Sequence, residues 1–179
     1  FDTTTSVFDI VATYGFDSSL GSTDLNLAFN HTETELDSST DVIDRERKGE
    51  LEGFLPENRW YLTGVHHMGN WRFLARLSYY DEWTDSNNNP ANDLTFGDEY
   101  LLDLEGAYTW NDRYSIIVGA QNVLDEFPDK EPRALTLGYK YPEGSPMGFN
   151  GGFYSCKRAG RHDHLNVVGR RRRAKRGIG

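Results

Sequence analysis

The chain has 179 residues, a single cysteine (Cys156) and a formal net charge of −9. One cysteine excludes an internal disulfide framework, no run approaches the roughly 18 consecutive apolar residues of a membrane-spanning helix, and the length suits one ordinary domain. The charge divides unevenly: residues 1–154 hold 27 acids against 10 bases, whereas residues 155–179 hold one acid, Asp163, against nine bases.

Hydrophobic residues make up 37% and aromatics 13%. The first figure is low for a compact core and the second is high. A sheet that interleaves apolar and polar side chains has both properties, because alternation keeps mean hydropathy down. The chain begins at Phe1 and carries no signal peptide, and the expectation is that an N-terminal portion precedes it.

Period-two alternation, the mark of a strand with one apolar and one polar face, recurs along the chain. The first strand is expected at about Thr5–Phe16, with Phe8, Ile10, Ala12, Tyr14 and Phe16 on one face. Asp17–Ser22 has turn chemistry. The second strand, about Thr23–Thr34, sets Leu25, Leu27 and Phe29 against Asp24, Asn26 and Asn30. A long polar stretch, roughly Glu35–Pro56, follows, with a basic patch at Arg45–Lys48. The third strand, about Asn58–Met68, reaches the hairpin dipeptide Gly69-Asn70. The fourth, Trp71–Trp83, is the clearest alternator: Trp71, Phe73, Ala75, Leu77 and Tyr79 oppose Arg72, Leu74, Arg76, Ser78 and Tyr80. Asp85–Asp93 is too polar and too poor in β-formers for a strand. The fifth strand, about Glu99–Trp110, sets Leu102, Leu104, Tyr108 and Trp110 against Asp103, Glu105 and Thr109. Asn111-Asp112 turns the chain into the sixth, Arg113–Val123. A seventh is expected from Gly148.

The connections alternate short and long. All tight turns therefore fall at one end of an antiparallel meander and all long loops at the other. Aromatic residues gather at strand ends: Trp60, Trp71, Tyr79, Trp83, Tyr108, Trp110 and Tyr114. The fold class expected is all-β, an up-and-down antiparallel meander of about seven strands. The pattern suits part of a transmembrane β-barrel with aromatic girdles. The alternative is a soluble β-sheet binding module, for example one that binds carbohydrate through exposed Trp and Tyr.

Two stretches carry a family resemblance. Ser115–Pro128 (SIIVGAQNVLDEFP) resembles the penultimate barrel strand of TonB-dependent outer-membrane receptors through Gly119, Asn122, Val123, Leu124, Asp125, Phe127 and Pro128. Tyr141–Tyr154 (YPEGSPMGFNGGFY) is similar to that family's entry into its last strand through Ser145, Pro146, Gly148, Asn150, Gly151, Phe153 and Tyr154. Ser6–Tyr14 looks like an earlier strand of these receptors. The resemblance implies that residues 1–154 are the C-terminal portion of a barrel of about 22 strands in the outer membrane of a Gram-negative bacterium. It also implies an N-terminal plug domain, energisation through TonB, and uptake of bulky, scarce nutrients such as iron–siderophore complexes. By the same resemblance the motif residues are structural, and no cofactor is expected. The long stretch Glu35–Pro56 is the loop expected to touch ligand, because it carries both signs of charge.

The family normally closes on another alternating strand with a terminal aromatic residue. Here the composition switches at Ser155, and residues 155–179 read as an aberrant, disordered basic tail of the kind a shifted reading frame produces. Arg170–Arg176 forms a basic run without interleaved aromatics, and the acidic body would repel a polyphosphate, so no nucleic-acid partner is expected.

No catalytic constellation is expected, and the chain reads as a non-enzyme. His66 and His67 are strand neighbours and face opposite sides. His162 and His164 share a side only if the tail is extended. Asn87, Asn88 and Asn89 with Asp85 and Asp93 supply oxygens without a calcium-specifying spacing. Asp103 and Glu105 read as polar-face residues in reach of cross-strand pairing with Arg72 or Arg76.

Overall fold

The computed structural model describes residues 2–36, 43–111 and 113–132, and the backbone of 166–171. Most of it is antiparallel β-structure. The elements are β1 (Thr3–Ser18), β2 (Gly21–Leu36), helix α1 (Arg45–Gly53), β3 (Asn58–Met68), β4 (Trp71–Tyr80), β5 (Trp83–Asp85), a 3-10 turn (Pro90–Asn92), β6 (Leu94–Phe96), β7 (Glu99–Trp110), β8 (Tyr114–Ala120) and β9 (Asn166–Arg171). Seven strands form one sheet in the order β1-β2-β3-β4-β7-β8-β9, and β5 and β6 pair separately. Each strand of the large sheet pairs with its sequence neighbour of that sheet, which is an up-and-down meander.

The seventh strand expected at Gly148–Tyr154 falls outside the described residues. Beside β8 lies β9 instead, in register from Tyr114↔Arg171 to Gly119↔Asn166. An exposed strand edge offers a row of N–H and C=O groups to any extended backbone, and the Val167-Val168 pair suits that conformation.

The connections sort as expected. At one end Ser19-Leu20 joins β1 to β2, Gly69-Asn70 joins β3 to β4, and Asn111 opens the turn into β8. Gly69 (φ +56°) and Asn111 (φ +49°) take the left-handed conformations such turns require. Gly21 (φ +141°) sits so close to β3 that a Cβ would run into the His67 carbonyl. The long connections all lie at the opposite end.

Register turns the alternation into two continuous surfaces. Ile10↔Phe29 and Ala12↔Leu27 lead to Leu27↔Leu62 and Phe29↔Trp60. Leu62↔Leu77 and Gly64↔Ala75 lead to Leu77↔Leu102 and Ala75↔Leu104. Gly106↔Val118 and Tyr108↔Ile116 complete the apolar face. The other face carries Asp9, Asn30, Arg59, Arg72, Arg76, Asp103 and Glu105.

On β4, β7 and β8 the apolar face is the more exposed one, whereas both faces of β1 are exposed. On the apolar face Phe73 is 41% exposed and Ile116 59%. On the polar face Ser78 is 6% exposed and Ala107 7%. Phe73, Leu104 and Ile116 are exposed and Leu77 and Leu102 half-buried, and no helix or second sheet among the described residues covers them.

The two turn glycines separate steric from conformational demands. Gly69→Ala meets nothing within 4 Å and costs only the left-handed backbone term, about 1–2 kcal/mol. Gly21→Ala costs more than Gly69→Ala, because β2 and β3 must also separate at the turn. Chemical denaturation of both variants in one detergent checks the order.

Candidate functional site

Three features occupy three parts of the sheet: two aromatic rows on the apolar face, a folded cap on the long-loop end, and a hydrogen-bonded polar face.

The aromatic rows follow from register. Near the long loops Trp60 stacks on Tyr79 with ring centroids 5.5 Å apart, and Tyr79 meets Tyr100 at 4.8 Å. Near the tight turns Trp71 meets Tyr108 at 4.6 Å and Phe73 at 5.9 Å. Eight residues separate Trp71 from Tyr79 and Tyr100 from Tyr108, about 26 Å along a strand. Between the rows lie Leu62, Ala75, Leu77, Leu102 and Leu104. Of the residues expected at strand ends, Trp83 differs in which strand it bounds: it opens the short β5 and does not close β4. β4 ends at Tyr80, and Trp83 is buried in the cap.

The cap was not expected from the polar composition of its loops. Asp44 caps α1 by accepting the Arg47 amide at 2.9 Å. Arg47–Glu50 and Lys48–Glu52 pair along the helix. Glu52 accepts the Leu36 amide at 2.9 Å, which ties the helix to the end of β2. From the next loop, Asp93 receives both terminal nitrogens of Arg45, one at 2.8 Å, and Asn88 accepts the Glu46 amide at 3.1 Å. Beneath these polar contacts Trp83 stacks on Phe96 at 4.2 Å and takes the edge of Phe54 at 5.4 Å. Leu36, Pro56, Trp83 and Phe96 are buried there. The third connection joins through Asp129, which accepts the Gly97 amide at 3.1 Å.

The Asp93 oxygens considered for calcium are therefore engaged by a guanidinium and by the Asn87 amide. The Arg45 hydrogen bonds, with that of the amide, hold the Asp93 carboxyl down at about 2. The Arg47 amide, helped by Asn88, lowers Asp44 as well. No group of three or more His, Cys, Asp or Glu suited to a metal occurs among the described residues.

On the polar face, Asn30 donates to Asp9 at 2.8 Å and accepts from Arg59 at 3.0 Å. Asn26 donates to Thr13 at 3.0 Å, and Arg72 forms an ion pair with Glu105, one of the cross-strand pairings expected. His66 and His67 face opposite sides, and His66 Nδ1 meets Thr23 Oγ1 at 2.8 Å.

The motif residues Gly119, Asn122, Asp125 and Pro128 gather where β8 ends. Asn122 (φ +50°) and Asp125 (φ +57°) take left-handed backbone, which Asn and Asp tolerate best after glycine. The Asn122 side chain clamps the turn, donating to the Glu126 carbonyl at 2.7 Å and accepting its amide at 3.1 Å. The Asn122 amide donates to Asp103 at 2.9 Å and the Val123 amide to the Leu102 carbonyl at 2.7 Å. Gly119 passes the Leu104 carbonyl closely. Pro146, Gly148, Asn150, Gly151 and Tyr154 lie outside the described residues, as do His162, His164 and Arg172–Arg176.

Comparison of the chain with protein-family models, with curated proteins and with solved structures finds no match.

The cap has a defined acid limit. Because Asp93 is held below its ordinary value, the stability it contributes is complete above about pH 4 and is lost as pH falls toward 2. Acid titration is expected to expose Trp83 and Phe96 before the sheet melts. Asp93→Asn is expected to loosen the cap at neutral pH and to weaken that transition. Hydrogen exchange at the Leu36 and Asn87 amides reads both effects.

Proposed function

We propose that this chain is part of the wall and outer loops of a TonB-dependent outer-membrane transporter for bulky, scarce nutrients such as iron–siderophore complexes. The observation that carries the reading is the centre of the sheet: on β4, β7 and β8 the apolar face is the more exposed one, and it is bounded by two aromatic rows. Bilayer hydrocarbon covers such a face without any second protein layer, and rings at the headgroup level suit an amphipathic environment.

Three further observations support the family. Tight turns and long loops segregate to opposite ends, as periplasmic turns and extracellular loops do in these barrels. The segment from Gly119 to Pro128 forms a clamped turn whose Asn122 and Asp125 conformations account for the residue types the motif demands. The long loops fold into a common cap, which gives a ligand a preformed surface. On this reading the polar face lines the lumen, where it meets water and an N-terminal plug. TonB acts through that plug, and the closed barrel lies in the outer membrane of a Gram-negative bacterium.

Leu104 tests the reading directly, because it lies midway between the aromatic rows and is exposed. In lipid, Leu104→Lys is expected to cost about 2–4 kcal/mol. On a water-facing sheet the same change stays within about 0.5 kcal/mol. Folding titrations of the full chain into phosphatidylcholine vesicles measure the difference. Bromine-labelled acyl chains are expected to quench Trp71 and Trp110 fluorescence more than that of buried Trp83. A chain that folds in buffer without lipid or detergent, with Leu104→Lys neutral, supports the soluble binding module instead.

A further inference from the structure

Arg76 and Asp103 are direct cross-strand partners, Arg76 on β4 and Asp103 on β7. Opposite charges in that position ordinarily pair. These do not. Arg76 turns its Nε toward Thr63 Oγ1 at 3.3 Å, and Asp103 accepts the Asn122 amide at 2.9 Å. The Arg72–Glu105 pair beside them is already neutralised. The terminal nitrogens of Arg76 and the second oxygen of Asp103 therefore remain open to a third party.

Both residues line a recess of about 220 Å³ on the polar face, and the Arg72-paired Glu105 borders it. Leu74 and Ile117 give it apolar sides, Gln121 adds an amide, and Gly119 keeps its floor clear. An anion binder, a cation binder and two apolar walls thus converge on one small volume, with the Glu105 carboxylate at its border already held by Arg72. The Asn122 clamp holds Asp103 in place, since its amide occupies Oδ1.

The geometry points to a site for a small zwitterion of the α-amino-acid class, its carboxylate on Arg76, its ammonium on Asp103 and an apolar side chain against Leu74 and Ile117. A guanidinium recognises a carboxylate through paired N–H donors, and a carboxylate recognises an ammonium by charge-assisted hydrogen bonds. A ligand bearing both groups satisfies in one event two charges that the sheet leaves apart. The inference rests on the polar face alone and stands whether the opposite face meets lipid or water.

The test uses the full chain folded in detergent micelles and three probes of one shape: L-leucine, 4-methylpentanoate, which lacks the ammonium, and 3-methylbutylamine, which lacks the carboxylate. Saturation-transfer NMR and calorimetry are expected to show L-leucine binding at least tenfold tighter than either fragment. Asp103→Asn is expected to bring L-leucine down to the level of 4-methylpentanoate. Arg76→Gln is expected to bring it down to that of 3-methylbutylamine, and Arg76→Lys to retain part of the preference. Circular dichroism of each variant separates lost binding from lost folding, and Thr13→Val, remote on the same face, controls for the sheet. Equal binding of the three probes, an L-leucine preference unchanged in folded Asp103→Asn and Arg76→Gln, or no saturable binding overturns the assignment. None of those results bears on the lipid test at Leu104.

Discussion

The cross-strand register is the constraint on which every other feature depends. A strand presents its side chains alternately, so a shift of one residue between neighbours would carry Leu77 to the polar face and Arg76 to the apolar one. In the observed register, Leu27, Leu62, Leu77 and Leu102 fall in one row across four strands. The rows of rings at either end follow from the same alignment, because Trp60, Tyr79 and Tyr100 are successive cross-strand partners. The tight turns enforce it locally. Gly21 admits the His67 carbonyl, and Gly69 and Asn111 take the positive φ that a short reversal needs.

The polar face gains its order from side-chain pairing and the cap gains its order from a small core. Asp9, Asn30 and Arg59 form a chain across three strands, and Arg72 closes on Glu105. Each such pair is worth little by itself in water. Their joint effect is to fix where the remaining open valences of Arg76 and Asp103 point. In the cap, the Trp83–Phe96 stack with Phe54 against its edge supplies the burial that the polar loops lack. The Arg45–Asp93 clasp then sets how α1 sits on the next loop.

Much of this was legible in the sequence because strand alternation is a local signal. Asn58–Met68 and Glu99–Trp110 have the expected bounds, and the Gly69-Asn70 reversal was marked by its residue types. The polar-face ion pair was legible too, since Arg72 and Glu105 shared a face on adjacent strands. The cap was not. Its residues Leu36, Phe54, Pro56, Trp83 and Phe96 come from well-separated stretches between positions 36 and 96, so no window shows a period. Helix α1 has no apolar stripe to find, and its signals were Asp44 before an Arg-Glu-Arg-Lys run and acid–base spacings of three and four. Trp83 continues the β4 alternation in sequence, yet β4 stops at Tyr80 and Trp83 opens β5, buried against Phe96.

The apolar face carries one further argument about what covers it. Between the aromatic rows, Gly64, Ala75, Gly106 and Ala120 leave a shallow recess of about 580 Å³ beside Phe73 and Leu104. Protein interiors pack near crystal density, so a second layer of this chain would need side chains shaped to fill that hollow. Fluid acyl chains need no such complementarity. They take the shape of whatever surface they meet, and a wall facing them is free to mix glycine and alanine with leucine and phenylalanine. The Thr23–His66 hydrogen bond at the margin of the recess fits the same logic. Were lipid to cover this face, a polar group on it would have to find its partner within the sheet. A satisfied histidine suits a protein core equally well, so the weight of the argument falls on the uneven relief of this face, which hydrocarbon tolerates and a closely packed layer would have to fill.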